Sequence, residues 1–207
     1  MARRRKHSLT EIKDMILDSA EEIITRDGVA KLTARQIAGD IGYTVGSIYM
    51  VFPSMAHLIM HFNASTLDNV AERLTLVREQ EAENNEQCLE ELAKAYLNYA
   101  SRNINRWRIV FDNRAPEDVT PNDIDWLQQR IDVITRQFAI PLHQLAPQRP
   151  EPEITLAARS LWAGIHGIGT LFLIGKPIAA TPDHLNDSGI LLVRNFIRGW
   201  LAELPAQ

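Results

Sequence analysis

Thr33 to Phe52 reads TARQIAGDIGYTVGSIYMVF, and this stretch decides the fold. It divides into two short helices joined by a tight turn. Thr33 followed three residues on by Gln36 is a capping box, in which the hydroxyl takes one orphan N–H at the helix start and the amide another. Ile37 and Ala38 face inward, and Gly42 stands where the first helix needs a left-handed residue, a conformation glycine adopts without Cβ strain. Thr44 caps the second helix. Ile48 comes ten residues after Ala38 and six after Gly42. The small Ala38 can therefore lie beneath the crossing second helix while Ile48 fills the gap. A small residue, a turn glycine and a branched apolar residue at these offsets form the pattern of a helix-turn-helix. The second helix then exposes Val45, Gly46, Ser47 and Tyr49, which are short or hydrogen-bonding residues suited to a DNA groove.

Upstream, Ser8 and Glu11 form a second capping box. Leu9, Ile12, Ile16, Ala20, Ile23 and Ile24 recur at three- and four-residue steps, which predicts an amphipathic helix to about Asp27, stopped by Gly28. This helix completes a three-helix domain. Downstream, Pro53 ends the second short helix and Ser54 caps a new one that runs to about residue 78 on Leu58, Phe62, Leu67, Val70, Leu74 and Val77. The periodicity places further helices at 88–103, 107–111, 123–145, 153–174 and 190–204. Residues 78–87 read as a loop or a frayed helix end, 115–122 as a loop and 147–152 as a break, and Pro141 is expected to kink or break the helix that contains it. No alternating strand pattern, internal repeat or Gly-rich phosphate loop stands out. The predicted fold is all-α: a helix-turn-helix domain over residues 1–53, then a helical bundle over 54–207.

The chain has 207 residues, 22 Lys and Arg, 26 Asp and Glu, and a net charge of −4. It is not a polycation, but residues 1–62 hold 8 Lys and Arg to 7 Asp and Glu, against 14 to 19 in the remainder. The asymmetry favours an N-terminal nucleic-acid end. Arg3, Arg4, Arg5 and Lys6 read either as a solvated terminus or as a basic arm that meets phosphates or enters a minor groove. Glu11, Lys13, Asp14 and Asp18 interrupt any apolar region after them, so a secretory signal is rejected. The longest apolar run, Leu161 to Gly175, is too short for a membrane span. The lone cysteine, Cys88, fits a reducing compartment. No membrane partner is expected, and the localisation expected is cytoplasmic, in association with the nucleoid.

Tyr49-Met50-Val51-Phe52-Pro53-Ser54 with Leu58 resembles the Y-x-x-F-x-[ST/N]-K-x-x-L signature of the TetR family of bacterial transcriptional regulators. Ala20, Gly28, Thr33, Ile37, Ala38 and Gly42 also stand where that family has its usual residues. The resemblance covers roughly residues 9 to 62. It departs at Met55, where the family has a lysine that meets a DNA phosphate. Leu161 to Gly167, LWAGIHG, is similar to the W-x-x-x-H-G helix of a TetR subgroup. The resemblance implies a homodimer that binds a palindromic double-stranded DNA operator, with the C-terminal bundle forming the dimer and binding a small-molecule effector. The DNA-binding positions are Thr33, Ala34, Arg35, Thr44, Val45, Gly46, Ser47 and Tyr49. Tyr96, Trp107, Phe111, Trp126, Phe138, Trp162 and His166 could line an effector pocket, since aromatic walls with a few polar handles make up most small-molecule sites. The same residues could equally fill a core.

Catalysis finds little support. His57 and His61 have the i, i+4 spacing of a chelating pair, but no third ligand is evident. No nucleophile elbow is present, and no cofactor, metal or catalytic residue is expected. The expected function is an effector-released transcriptional repressor. Two alternatives stay open: a DNA-binding protein that organises DNA or recruits a protein partner without an effector, and a helical enzyme whose helix-turn-helix is only structural.

Overall fold

The computed structural model describes residues 7–81, 84–112, 120–173 and 184–202, and for Phe111 and Asp112 the backbone alone. Every regular element among the described residues is helical: α1 (Leu9–Asp27), a single 3-10 turn (Val29–Lys31), α2 (Ala34–Asp40), α3 (Val45–Val51), α4 (Met55–Gln80), α5 (Asn85–Arg102), α6 (Ile104–Asp112), α7 (Pro121–Leu145), α8 (Glu151–Leu173) and α9 (Leu185–Ala202). The all-α expectation holds. Among the described residues no single helix is long and apolar enough to cross a membrane.

The chain forms two compact units, Met1–Thr66 with Asn105–Thr120, and Leu67–Ile104 with Pro121–Gln207. The first unit is built on α1, α2, α3 and the start of α4. Ile16, Ala20, Ile23 and Ile24 of α1 meet Ile37, Ala38, Ile48, Phe52, Leu58 and Phe62 in one core. Ser19 of α1 donates to Asp40 of α2 at 3.2 Å. From α6, Ile109 enters the same core, and the buried Arg106 holds three elements together. Its guanidinium lies 4.7 Å from the Phe62 ring centroid and donates to Thr66 at 3.2 Å, to Ser65 at 3.0 Å and to Glu21 of α1. A buried cation persists where each donor finds an acceptor, and Arg106 spreads its donors over α1 and α4.

In the second unit α5 packs on α7, α8 and α9, and α8 packs on both α7 and α9. Leu89, Leu92, Tyr96 and Leu97 of α5, Ile134 and Phe138 of α7, Ala158, Leu161 and Ile165 of α8, and Val193 and Ile197 of α9 are all buried. Two glycines set how closely these helices approach. A Cβ on Gly164 would lie 2.8 Å from a Leu192 methyl, and one on Gly189 would lie 2.7 Å from a Leu97 methyl.

Several boundaries differ from the sequence expectation. The polar run 78–87 is divided between two helices: α4 continues to Gln80, as the helix-end reading allows, and Asn84 caps α5 by accepting from the Gln87 N–H at 3.1 Å. Pro141 does not break α7, which continues to Leu145. Pro141 is buried, and a proline removes only one hydrogen bond from the ladder. Pro152 sits in the first turn of α8 rather than in a preceding loop, since an N–H there has no intrahelical partner to lose. The last helix starts at Leu185, not Ile190, and its first turn, Asn-Asp-Ser-Gly, is used in packing. Asn186 donates to Asn98 at 3.2 Å, and Gly189 faces α5.

Candidate functional site

In the first unit the helix-turn-helix is set by local hydrogen bonds. Thr33 accepts from the Gln36 N–H at 3.2 Å and caps α2, although the return bond from the Gln36 amide is not made. At the other end of α2, Gly42 lies at φ +71°. The Tyr43 N–H donates back to Ala38 at 2.9 Å and the Gly42 N–H to Gly39 at 3.3 Å, the paired closure of a Schellman motif. Thr44 then caps α3, accepting from the Ser47 N–H at 3.2 Å. Its hydroxyl also meets the Ser47 hydroxyl at 2.9 Å. Ile48 of α3 and Ala38 of α2 are both buried in the one core of this unit, where the two helices pack together.

With Ile48 turned in, α3 turns Val45, Gly46, Tyr49 and Met50 out, and Met50 is 76% exposed. Ser47 is half-buried, while Thr33, Arg35 and Thr44 are exposed. Ala34, also among the expected DNA-binding residues, points into the core and is 7% exposed, so it offers a groove only its backbone. Met50 was not among the expected residues, although it follows Tyr49 on the same outward face. His7, just before α1, puts Nδ1 2.7 Å from the Tyr43 hydroxyl in the helix-turn-helix turn. Arg3, Arg4, Arg5 and Lys6 lie outside the described residues. Met55 packs partly buried against the core of this unit.

The residues expected to line an effector pocket do not all come together. Trp107 is buried in the first unit. The Phe111 side chain lies outside the described residues. Trp126 is half-buried beneath the Arg130 guanidinium, 4.0 Å from its ring centroid. Phe138 is fully buried in the second unit. The remaining three meet: the Tyr96 hydroxyl lies 3.1 Å from His166 Nδ1, and the Trp162 ring stands edge-on to Tyr96 at 6.2 Å and tilted to His166 at 6.0 Å. His166 Nε2 lies 3.2 Å from the Thr170 hydroxyl. A neutral imidazole donates at one nitrogen and accepts at the other, so it can link Tyr96 to Thr170 in one chain. The Trp162 N–H is buried and makes no aligned hydrogen bond. Two surface grooves run between α7 and α8, past Asp132, Arg136, Glu151, Arg159 and His143, and none of the expected pocket residues lines them.

Burial holds the Tyr96 phenol well above its usual range, with the Trp162 indole acting in the opposite sense, and pushes the His166 imidazole down to about 4. In the unfolded chain His166 takes up its proton near 6.5. Between pH 6.5 and 4 acid therefore favours the unfolded state, and stability contributed by neutral His166 is lost as the pH falls. Melting temperatures across this window are expected to drop more steeply for the native protein than for His166→Gln, which keeps hydrogen-bonding capacity but does not titrate. Parallel curves would mean His166 does not contribute.

His57 and His61 have structural roles: His57 Nδ1 lies 2.9 Å from the Ser54 hydroxyl at the start of α4, and His61 meets the Phe52 ring edge-on at 5.3 Å. Among the described residues no group of three or more His, Cys, Asp and Glu could hold a metal ion. Burial raises the Cys88 thiol to about 11, which keeps it protonated and unreactive at neutral pH.

Comparison with known proteins agrees with the geometry of both units. Residues 16–61 match "Bacterial regulatory proteins, tetR family", and residues 89–196, more than half the chain, match "Tetracyclin repressor-like, C-terminal domain". The chain belongs to the TetR family. No curated protein matches it significantly. Among solved structures it resembles a protein of unknown function from Rhodococcus sp. RHA1, with a TM-score of 0.72, 20% identity, and coverage of 96% of this chain and 98% of that one. It also resembles a Mesorhizobium loti MAFF303099 protein assigned to the TetR-family transcriptional regulators, with a TM-score of 0.69, 16% identity, and coverage of 94% and 98%. A third likeness is to a TetR-family transcriptional regulator from Bordetella parapertussis 12822, with a TM-score of 0.60, 19% identity, and coverage of 94% and 98%. At these identities the likeness is one of fold. This TetR-family chain thus has the fold and domains of a DNA-binding transcriptional regulator.

Proposed function

We propose that this protein is a homodimeric repressor that binds a palindromic operator and releases it when a small molecule enters the C-terminal bundle. The division of labour runs from a DNA-binding domain over 1–53 to an effector-binding and dimerisation domain over 54–207. The observation that carries the reading is the outward face of α3. Val45, Gly46, Tyr49 and Met50 stand exposed on a helix that Thr44 caps and Ile48 anchors, which is how a recognition helix is presented to a major groove. The starts of α2 and α3 offer N–H groups and the positive end of a helix dipole to phosphates. Two such heads must stand about 34 Å apart to meet successive major grooves, so a small shift of α4 in each subunit is enough to lose one half-site. Tyr96, Trp162, His166 and Thr170 are the favoured effector contacts, because they combine aromatic surface with polar atoms and a buried indole N–H.

The test is selection of bound sequences from random duplex DNA, followed by a footprint on the selected site and a screen of small molecules for release. A defined palindrome that a small molecule releases supports the reading. Bound DNA that no compound releases favours a regulator without an effector, and no selected sequence at all overturns DNA recognition.

Met55 gives a further expected result. Lysine there keeps an aliphatic stem for the core contact and carries its ammonium outward. Met55→Lys is expected to tighten operator binding and to steepen the slope of log affinity against log salt by about 0.9 for each phosphate gained, roughly double that in a dimer. Fluorescence anisotropy over a salt series reads it, and an unchanged slope means position 55 does not face the DNA backbone.

A further inference from the structure

Exposed apolar side chains gather on one short helix. Among the described residues of the first unit, the large apolar side chains left in solvent are those of Leu9, Val45, Tyr49 and Met50, and three of these four belong to α3. Scattered singly, exposed apolar residues are ordinary; three within one seven-residue helix mark a contact surface.

The residue types missing from α3 narrow what that surface can read. Its sequence, VGSIYMV, holds no arginine, lysine, asparagine, glutamine, aspartate, glutamate or histidine. Base edges are read by hydrogen bonds from arginine or lysine to guanine, from asparagine or glutamine to adenine, and from cytosine to a carboxylate. None of these pairings is open to α3. The Ser47 hydroxyl is half-buried and lies 2.9 Å from that of Thr44, engaged in the cap. The Tyr49 hydroxyl can both donate and accept, so it suits a phosphate or several base edges and singles out none. Arg35 is exposed, but it stands on α2, and the first helix of this motif crosses the DNA backbone. What remains to tell one base pair from another is apolar surface, on Val45, 38% exposed, and Met50, 76% exposed. They lie on neighbouring rows of the helix, Val45 one turn before Tyr49 and Gly46 one turn before Met50, and Gly46 puts no side chain between them.

In the major groove a base pair offers an apolar group at one place, the C5 methyl of thymine. Against that methyl, Val45 and Met50 exchange water for van der Waals contact. Against the amino groups of adenine and cytosine, or the acceptors of guanine, they would desolvate a polar edge and return no hydrogen bond.

We infer that α3 selects thymine by its methyl group, with Val45 and Met50 as the specificity-determining residues of each half-site. The inference rests on the proposed operator recognition and supplies the base that is recognised.

The experiment uses the full chain and the palindrome selected as above. Each thymine is replaced in turn, symmetrically in both half-sites, by deoxyuridine, which pairs with adenine in the same way and lacks only the methyl. Fluorescence anisotropy compares the native protein, Val45→Ala, Met50→Ala and Arg35→Ala on every duplex. One methyl without its contact is expected to cost about fourfold in affinity, the equivalent of about 0.8 kcal/mol, and roughly fifteenfold when both half-sites change. Native binding is expected to weaken by this factor at one or two thymines of each half-site. Val45→Ala and Met50→Ala are each expected to bind the thymine duplex more weakly and to lose the uracil penalty at one of those positions, because the methyl there has no partner left. Their salt slopes are expected to match that of the native protein, since neither residue carries charge. Arg35→Ala is expected to do the reverse, with a slope shallower by about 0.9 per phosphate contact removed and the uracil penalties intact.

Selected half-sites without thymine, or uracil tolerated at every thymine, overturn the inference while operator binding stands. Uracil penalties of equal size in the native protein and both apolar variants mean that the methyl acts through the shape of the DNA, and they overturn the roles of Val45 and Met50. Penalties lost in Arg35→Ala would put the reading on α2 and overturn it as well. Failure to select any sequence overturns the operator reading and this inference with it, so the two failures are distinguishable.

Discussion

Gly46→Glu is expected to abolish operator binding, lowering affinity at least a hundredfold, while leaving the melting temperature unchanged. Gly46 lies on the outward face of α3, and a Cβ built there meets only the Thr44 hydroxyl, at an ordinary 3.7 Å. A side chain at 46 therefore disturbs no packing, and replacing a helical glycine removes a small propensity penalty. The charge is the whole perturbation. A carboxylate brought against phosphates is a like-charge contact that costs several kcal/mol, and every 1.4 kcal/mol is tenfold in affinity. A dimer meets that cost in each half-site. Gly46→Ala is the control, and it is expected to bind within a few-fold of the native protein. Anisotropy with the selected operator and a thermal melt decide the matter. Undiminished binding by Gly46→Glu would remove α3 from the groove. A lowered melting temperature would show that position 46 is packed rather than presented.

The parts of this fold that can be read from the chain alone are those fixed by neighbours in sequence. Ser8 with Glu11, Thr33 with Gln36, and Thr44 with Ser47 are three-residue affairs, and each cap forms where the residue types place it. Gly42 closes α2 for the same reason: its positive φ is a demand of the next few hydrogen bonds. The misreadings fall where a distant element decides. Gly189, which the periodicity leaves just outside the last helix, lies inside α9 against Leu97 of α5, and the buried Pro141 is carried through inside α7. The aromatic residues show the same limit. Nothing local says that Trp107 belongs to the first unit, or that Trp126 lies under Arg130, while Trp162 and His166 share one helix face and meet Tyr96. The His7–Tyr43 bond spans 36 residues and carries no periodic signature at all.

Leu156→Glu and Leu191→Glu are each expected to convert a dimer of about twice the chain mass into folded monomers, whereas Ile197→Glu is expected to unfold the protein. The last two helices are the apolar pair on which a dimer would be built, but their apolar residues do not all point the same way. Val193 and Ile197 of α9 are 0% and 3% exposed and lie inside the chain's own core, and Gly164 of α8 is filled by Leu192. A glutamate at 197 would bury an unpaired carboxylate, so its effect would report on folding and not on association. What is left outward is different. Leu156, Ser160, Ala163, Gly167 and Leu171 are spaced four, three, four and four apart along α8 and carry no charge; Leu156 is 65% exposed, and no atom lies within 4 Å of a Cβ on Gly167. On α9, Leu191 is 63% exposed. An uncharged stripe with small residues at its centre lets a second helix approach closely, and under two-fold symmetry the same stripe meets itself. A stable dimer buries about 800 Å² on each partner, with charge excluded from the centre, so one carboxylate there desolvated against its twin is sufficient to prevent association. Light scattering gives the mass, and far-ultraviolet circular dichroism gives the helix content. A native mass of one chain removes the dimer. Retained dimers in both leucine variants would move the interface away from these two positions.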